Sequence, residues 1–169
     1  MEHQTFSHDI KWIIQFAQNN DAKVISEIIT KNAKTVMLSF HLPNILKYIQ
    51  EYNSEENIKK QLLWKNVFVY RKNNEILGTI ALANFWNPDT APKYAVSNLF
   101  VAPTEQGKGV GTMLLQYIIQ LAISKYIQTL HVPSSRNAVE FYKNSGFQID
   151  QQQPDEKDEI TWMNRKLDS

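Results

Sequence analysis

The sequence predicts an α/β (α+β) fold: a single domain whose mixed, mostly antiparallel central sheet is flanked by helices. Three observations carry this expectation. Strand-like and helix-like runs follow one another in the order βααβββαβαββ over 169 residues, a length that suits one domain with a substantial core. Two apolar strands are joined by Lys72-Asn73-Asn74-Glu75, a hairpin signal. Downstream, Val110, Met113, Leu114, Tyr117, Ile118, Leu121 and Ala122 fall on one face of a long helix with the cleanest period in the chain.

The elements follow in order. Residues 10–16, Ile-Lys-Trp-Ile-Ile-Gln-Phe, read as the first strand. Asn19-Asn20-Asp21 is a turn with a helix start signal, and the helix after it carries the stripe Val24, Ile25, Ile28 and Ile29. A second helical region covers 42–64; Pro43 suits an early helical position, and Asn53-Ser54 divides the region in two. Residues 66–71 and 76–85 are the hairpin strands, and 87–92 form a loop. The next strand, 94–102, is stopped by Pro103, and the long helix follows it. Residues 127–132 make a strand ended by Pro133, and 137–145 a short helix that Gly146 closes at the C′ position. Residues 147–150 and 160–166 form a terminal hairpin around a long polar loop. No repeat, low-complexity tract or linker interrupts the pattern, so the domain is expected to span 1–169, with its core at about 10–167.

Composition excludes several classes. A formal net charge of +1 exerts no global pull toward nucleic acid or an anionic membrane. With no cysteine there is no disulfide framework, zinc–thiolate site or cysteine nucleophile, and no metal is assigned. No apolar run has the length of a membrane span, and the polar N-terminus lacks the apolar segment of a signal peptide. The expectation is a cytoplasmic protein.

The densest signal is Gln106-Gly107-Lys108-Gly109-Val110-Gly111. Three of the chain's 5 glycines fall here, between the strand-like run ending at Val101 and the long helix. A glycine-rich turn opening a helix leaves backbone N–H groups unpaired at the positive end of the helix dipole, a site for phosphate. A nucleotide-hydrolase loop needs Lys before the Ser or Thr that follows its last glycine, and Thr112 follows Gly111 directly. A dinucleotide loop needs G-x-G-x-x-G and an acidic residue roughly 20 positions on; the spacing here is G-x-G-x-G, and that position is His131.

The spacing Q-x-x-G-x-G between a strand and a long helix instead resembles the acyl-CoA pyrophosphate loop of the GNAT N-acetyltransferase superfamily. A second segment, Asn137-Ala-Val-Glu-Phe-Tyr142-Lys-Asn-Ser-Gly146-Phe147, resembles that family's second cofactor motif, N-A-x-x-F-Y-x-x-x-G-F. The resemblance implies a GNAT-like domain that moves an acetyl group from acetyl-CoA to a primary amine of a small molecule or peptide. With no cysteine to hold the acetyl group, transfer would be direct. It also implies roles. Backbone N–H groups around Gly107, Lys108, Gly109, Val110, Gly111 and Thr112 would bind the pyrophosphate, with Gln106 at the turn. Leu99 and Val101 would pair with the pantetheine arm as a neighbouring strand would, and the Leu99 N–H would bind the acetyl carbonyl. Asn137 would bond the pantetheine, and Tyr142 would donate a proton to the departing thiolate. Other readings of these residues stay open: Lys108 as a plain surface residue, Asn137 as a helix N-cap with Glu140 in a capping box, Tyr142 as a core aromatic.

The general base is not evident. Some family members carry Glu on the glycine-loop strand, four residues before the carbonyl-binding amide; Ala95 stands there in this chain. By the two-residue period Ser97 and Leu99 share the face of Ala95, and Asn98 points to the other. His41, His131 and Glu140 are the remaining candidates. Asp150, Asp155, Glu156, Asp158 and Glu159, near the last strand, would favour a cationic acceptor, and Trp64, Phe85 and Trp86 would offer an aromatic wall. A homodimer is left open. The competing function is a GNAT-like module that binds acyl-CoA without transferring it, as a sensor or interaction partner.

Overall fold

A computed structural model describes residues 3–7, 10–85, 92–151 and 159–168. Among the described residues eight strands form one sheet in the order β1-β2-β3-β4-β5-β6-β8-β7. They are β1 (His3–Ser7), β2 (Ile10–Phe16), β3 (Asn66–Lys72), β4 (Glu75–Phe85), β5 (Lys93–Val101), β6 (Thr129–Ser135), β7 (Gln148–Ile149) and β8 (Ile160–Lys166). The helices are α1 (Ala22–Ser39), α2 (Pro43–Tyr52), α3 (Glu55–Gln61), α4 (Val110–Ser124) and α5 (Val139–Asn144). Among these described strands only β5 and β6 pair in parallel; the other neighbours are antiparallel. Among the described residues no helix is long and apolar enough to cross a membrane.

The β3–β4 hairpin forms as its sequence requires. Asn73 and Asn74 both have positive φ, 51° and 68°, the two-residue turn whose twist matches that of the strands. Both strands are apolar throughout because both faces are covered. Val67 and Val69 join Ile25, Ile29 and Ile58 under α1 and α3, while Phe68 and Tyr70 join Leu114 and Ile118 under α4. Gly78 lets α4 approach closely: a Cβ there would stand 3.2 Å from Leu114 Cδ1.

The division at Asn53-Ser54 is also found. Pro43 opens α2, and the Ser54 side chain caps α3 by accepting from the Asn57 N–H. Gly146, at φ 85°, closes α5, with Gly146 N–H donating to Lys143 O and Phe147 N–H to Tyr142 O.

Several expectations need correction. β1 precedes the strand read as first; it pairs with β2 from His3↔Ile14 to Ser7↔Ile10, through backbone that carries no apolar alternation to announce it. In α1 the buried line is Ala22, Ile25, Ile29, Asn32, Ala33 and Met37, and Val24 is exposed. In α4, Leu115 and Ile119 are buried as well, leaving only the line Thr112, Gln116, Gln120 and Ser124 exposed; the core wraps more of this helix than one face.

β6 runs through Pro133 to Ser135. Arg136 N–H donates to Glu159 O, so by the two-residue alternation the even-numbered donors face β8. The donor that Pro133 lacks would face the other side, where β5 has already turned away.

Phe68 is 1% exposed, with ring centroids of Phe16 and Tyr117 at 4.4 and 5.0 Å. Phe68→Ala should cost about 3–5 kcal/mol, read from urea unfolding midpoints. Leu63→Ala, at a residue 87% exposed, should leave the midpoint in place.

Candidate active site

β5 and β6 meet at a single pair, Ala95↔His131, and diverge beyond it. A bulge helps open them. Ala81 faces Ser97 and Thr79 faces Phe100, so two steps on β4 oppose three on β5. The extra residue is Asn98, at φ 55°, a left-handed conformation that Asn tolerates.

The bulge overturns the simple alternation read from sequence. Ser97 and Asn98 share a face, with Ser97 Oγ donating to Asn98 Oδ1 at 3.0 Å. Leu99 and Val101 pack with Tyr94 and Val96 against the core under α4, and Phe100 packs toward α1. Leu99 therefore does not share the face of Ala95.

Between the diverging strands lies a cleft of about 750 Å³. Its lining includes Ser97, Leu99 and Val101 from β5, Ser134 from β6, and Asn137 and Tyr142 beyond it. The lining also includes Asn32, Tyr48, Tyr52 and Lys65, from α1, α2 and the segment after α3. Apolar strand walls with backbone groups left unpaired by a neighbouring strand suit an extended, amide-bearing ligand. The Val101 carbonyl is already occupied, accepting from Asn32 Nδ2 and Gln106 Nε2, each at 3.0 Å. Gln106 is thus tied to the strand it follows.

Directly after Gln106, which lines the cleft, the glycine loop enters α4. Gly107 and Gly109 have φ 75° and 82°, and a Cβ at either would meet nothing within 4 Å. Gly111 has no such backbone demand; it lies 3.7 Å from the Phe141 ring by the same measure. Gly109 caps α4 with no side-chain bond, so the first-turn N–H groups of Val110, Gly111 and Thr112 have no partner within the helix. Val110 itself is buried in the core, while Thr112 is exposed. Lys108 is exposed and stands 3.8 Å from the buried Glu105 carboxylate, which also pairs with Lys72 at 3.3 Å.

Asn137 is not a helix cap. It sits in the short turn Arg136–Ala138, the residue preceding α5 is Ala138, and no side-chain cap bond forms there. Asn137 Oδ1 is buried without a hydrogen-bond partner beside the cleft. A buried acceptor left unpaired is costly, and a donor from an occupant of the cleft would satisfy it. Tyr142 is buried between the rings of Phe141 and Phe147, at centroid distances of 5.1 and 5.6 Å, and lines the same cleft. Burial pushes its phenol well above the ordinary value, so it keeps its proton at every physiological pH.

The three base candidates lie elsewhere. His41 is exposed after α1, and Glu140 is exposed and paired with Lys143 at 3.1 Å. His131 lines a separate hollow with Gln148, Asp150 and Asn164; burial, with the Lys93 charge second, lowers its pKa. Sequence reasoning missed Lys65, which is buried in the cleft wall after α3; a lone Lys following a short helix rich in charged and polar residues carries no signal. Trp64 packs edge-on to Phe85 at 5.8 Å, and Phe85 lines the cleft. Trp86 and the acidic residues Asp155, Glu156 and Asp158 lie outside the described residues.

The comparisons agree with this architecture. Residues 27–169 match the model of the acetyltransferase (GNAT) domain, and the chain belongs to that family. Its fold is similar to that of the PaiA N-acetyltransferase of Thermoplasma acidophilum solved in complex with coenzyme A: TM-score 0.77, 17% identity, covering 92% of this chain and 99% of that one. A GCN5-related N-acetyltransferase from Rhodopseudomonas palustris gives TM-score 0.74 at 20% identity, covering 91% and 94%. A GNAT acetyltransferase from Elizabethkingia anophelis with acetyl-CoA bound gives 0.53 at 23% identity, covering 68% and 84%.

Proposed function

We propose that this chain is a cytoplasmic N-acetyltransferase that moves acetyl from acetyl-CoA directly to a primary amine of a small molecule or peptide. The observation that carries the reading is the continuity of the cleft. It joins the divergence of β5 and β6 to Asn137 and Tyr142 and reaches Gln106, the residue before the glycine loop. The family membership and the solved relatives that hold coenzyme A or acetyl-CoA support the donor. The names of the first two relatives support nitrogen as the acceptor atom.

The residues divide the work as follows. The N–H groups of residues 107–112 receive the pyrophosphate at the start of α4. Leu99 and the N–H of Val101 offer strand backbone to the pantetheine arm, and Asn137 gives its free oxygen to an amide N–H. The Leu99 N–H stabilises charge developing on the acetyl oxygen. The C–N bond forms as the C–S bond breaks; nitrogen loses a proton and sulfur gains one. Tyr142 presents its O–H to that sulfur.

Free-thiol release from acetyl-CoA, measured across a panel of amines, tests the reading. Release that depends on an amine is expected. Tight coenzyme A binding with no release for any amine would reduce the chain to a binding module. Asn137→Ala separates ligand binding from folding. It should weaken acetyl-CoA binding by about 3–10-fold, the worth of one hydrogen bond. It should leave the melting temperature unchanged or higher, because the oxygen it removes has no partner in the fold. A lower melting temperature with unchanged affinity would make Asn137 structural.

A further inference from the structure

One charged group in the cleft wall has no part in this scheme. Lys65 is 5% exposed. Its Nζ donates to Gln61 Oε1 and Asn98 Oδ1, each at 3.2 Å, and lies 5.0 Å from the ring centroids of both Tyr52 and Trp64. The two amides are themselves fixed. Gln61 Nε2 donates to Tyr52 O at 2.9 Å and Asn53 Oδ1 at 3.2 Å, and Asn98 Nδ2 donates to Gln61 Oε1 at 2.8 Å. Both oxygens are thereby turned toward the ammonium. An ammonium has three donors, and the amides use two.

What this cation lacks is an anion. None of the ion pairs among the described residues includes Lys65. The described lining of the cleft holds two lysines, Lys65 and Lys93, and no Asp or Glu. Lys93 sits over the Trp162 ring at 3.8 Å and feels the charge of Asp150. A buried charge without a counter-charge is costly, and two aromatic faces with two amide oxygens offset only part of that cost. Lys65 also touches Asn98, the residue before Leu99, whose N–H is assigned to the acetyl carbonyl.

We propose that Lys65 receives a carboxylate of the acceptor, so that the acceptor is a small amino acid-like molecule bearing both a primary amine and a carboxylate. This rests on the acetyltransferase reading and specifies its substrate class. A carboxylate would take the third Nζ donor as a charge-assisted bond. A polyamine would instead meet like charge.

Burial lowers Lys65 to about 8, so the ammonium form dominates at neutral pH. The other titratable groups of the described cleft lining are Tyr48 and Tyr52 of α2, Lys93 of β5 and Tyr142 of α5. Burial raises all three tyrosines, which stay neutral in this range. Carboxylate affinity should therefore fall as pH rises through about 8.

The test compares amino acids and ω-amino acids with the matching amines that lack the carboxylate, scored by kcat/KM for thiol release. The carboxylated member of each productive pair should lead on the order of tenfold or more. Lys65→Met keeps the stem and removes the charge. It should raise KM for the carboxylated acceptor on the order of 10–100-fold and erase the preference, with acetyl-CoA affinity unchanged. Lys65→Arg should keep part of the preference. Equal kcat/KM across the pairs in the wild type overturns the proposal. So does a Lys65→Met variant that loses kcat alone for every amine, the behaviour of a base. If no amine releases thiol, the transferase reading fails first. Calorimetry of an N-acetyl amino acid binding to the coenzyme A complex then decides: heat in the wild type but not in Lys65→Met upholds the carboxylate site, and no heat in either overturns it.

Discussion

Gly109→Glu should give a folded protein that no longer binds coenzyme A. The position tolerates the added bulk as far as the fold is concerned, since a Cβ there meets nothing within 4 Å. The backbone does not tolerate it freely: φ is 82°, and a non-glycine residue in that left-handed region costs about 1–2 kcal/mol. The carboxylate would stand at the opening of α4, where first-turn N–H groups without intrahelical partners favour a negative ligand. Occupying that site with a tethered negative charge repels the pyrophosphate and fills the approach to the amides. Affinity should drop by more than about 100-fold, a loss of roughly 3 kcal/mol or more. Two controls divide the causes. Gly109→Ala carries the backbone strain without the charge and should lose about 10-fold or less. Gly111→Ala has no positive φ and an ordinary 3.7 Å contact with Phe141, so it should bind as the wild type does. Calorimetric titration with coenzyme A reads all three. A folded Gly109→Glu protein with wild-type affinity would remove the loop from the binding site.

Legibility in this sequence follows locality. The β3–β4 turn was readable because Asn73-Asn74 is a pair that accepts positive φ, and the end of α5 because Gly146 supplies it. The glycine loop was readable for the same reason: a backbone conformation demands a residue type within a few positions. The features that were not legible depend on distant partners. β1 is held by backbone bonds to β2, and its sequence need not alternate. Pro133 would end a strand with two partners, but β6 has one on that stretch. Asn98 looked like one more residue of an alternating strand; only the register against β4 shows that it is extra. The consequence falls on the site. Counting by twos placed Leu99 beside Ala95, whereas the bulge sends Leu99 to the other face and leaves Asn98 to bond Lys65. Lys65 itself becomes informative only through burial, which brings α2, α3 and β5 around one ammonium. The Asn137 N-cap reading had every local signal in its favour, yet the turn before α5 places Ala138 at the cap.

Tyr142→Phe should lower turnover by roughly 10²-fold, within the range of general acid catalysis, while leaving acetyl-CoA affinity and the fold intact. The ring contacts survive the change: Phe141 and Phe147 lie at centroid distances of 5.1 and 5.6 Å, and neither contact needs the hydroxyl. What is lost is the donor at sulfur. A free thiol titrates near 8.5, so the phenol, raised further by burial, is the weaker acid of the two. Its contribution is therefore a hydrogen bond that strengthens as charge builds on sulfur, with the proton following as the new amide nitrogen releases one. The deficit should appear in kcat rather than KM, because the bond forms as the C–S bond breaks. Stability against alkali supplies a second readout with a definite sign. A phenol whose folded pKa lies above its unfolded value of about 10 stabilises the protein below that pH and loses this contribution as pH rises further. The Phe variant should be relatively more stable than the wild type above pH about 10 and should show no such gain at pH 7. Wild-type turnover in Tyr142→Phe, with the alkaline difference still present, would leave Tyr142 as a buried core aromatic and place the proton at sulfur on another donor.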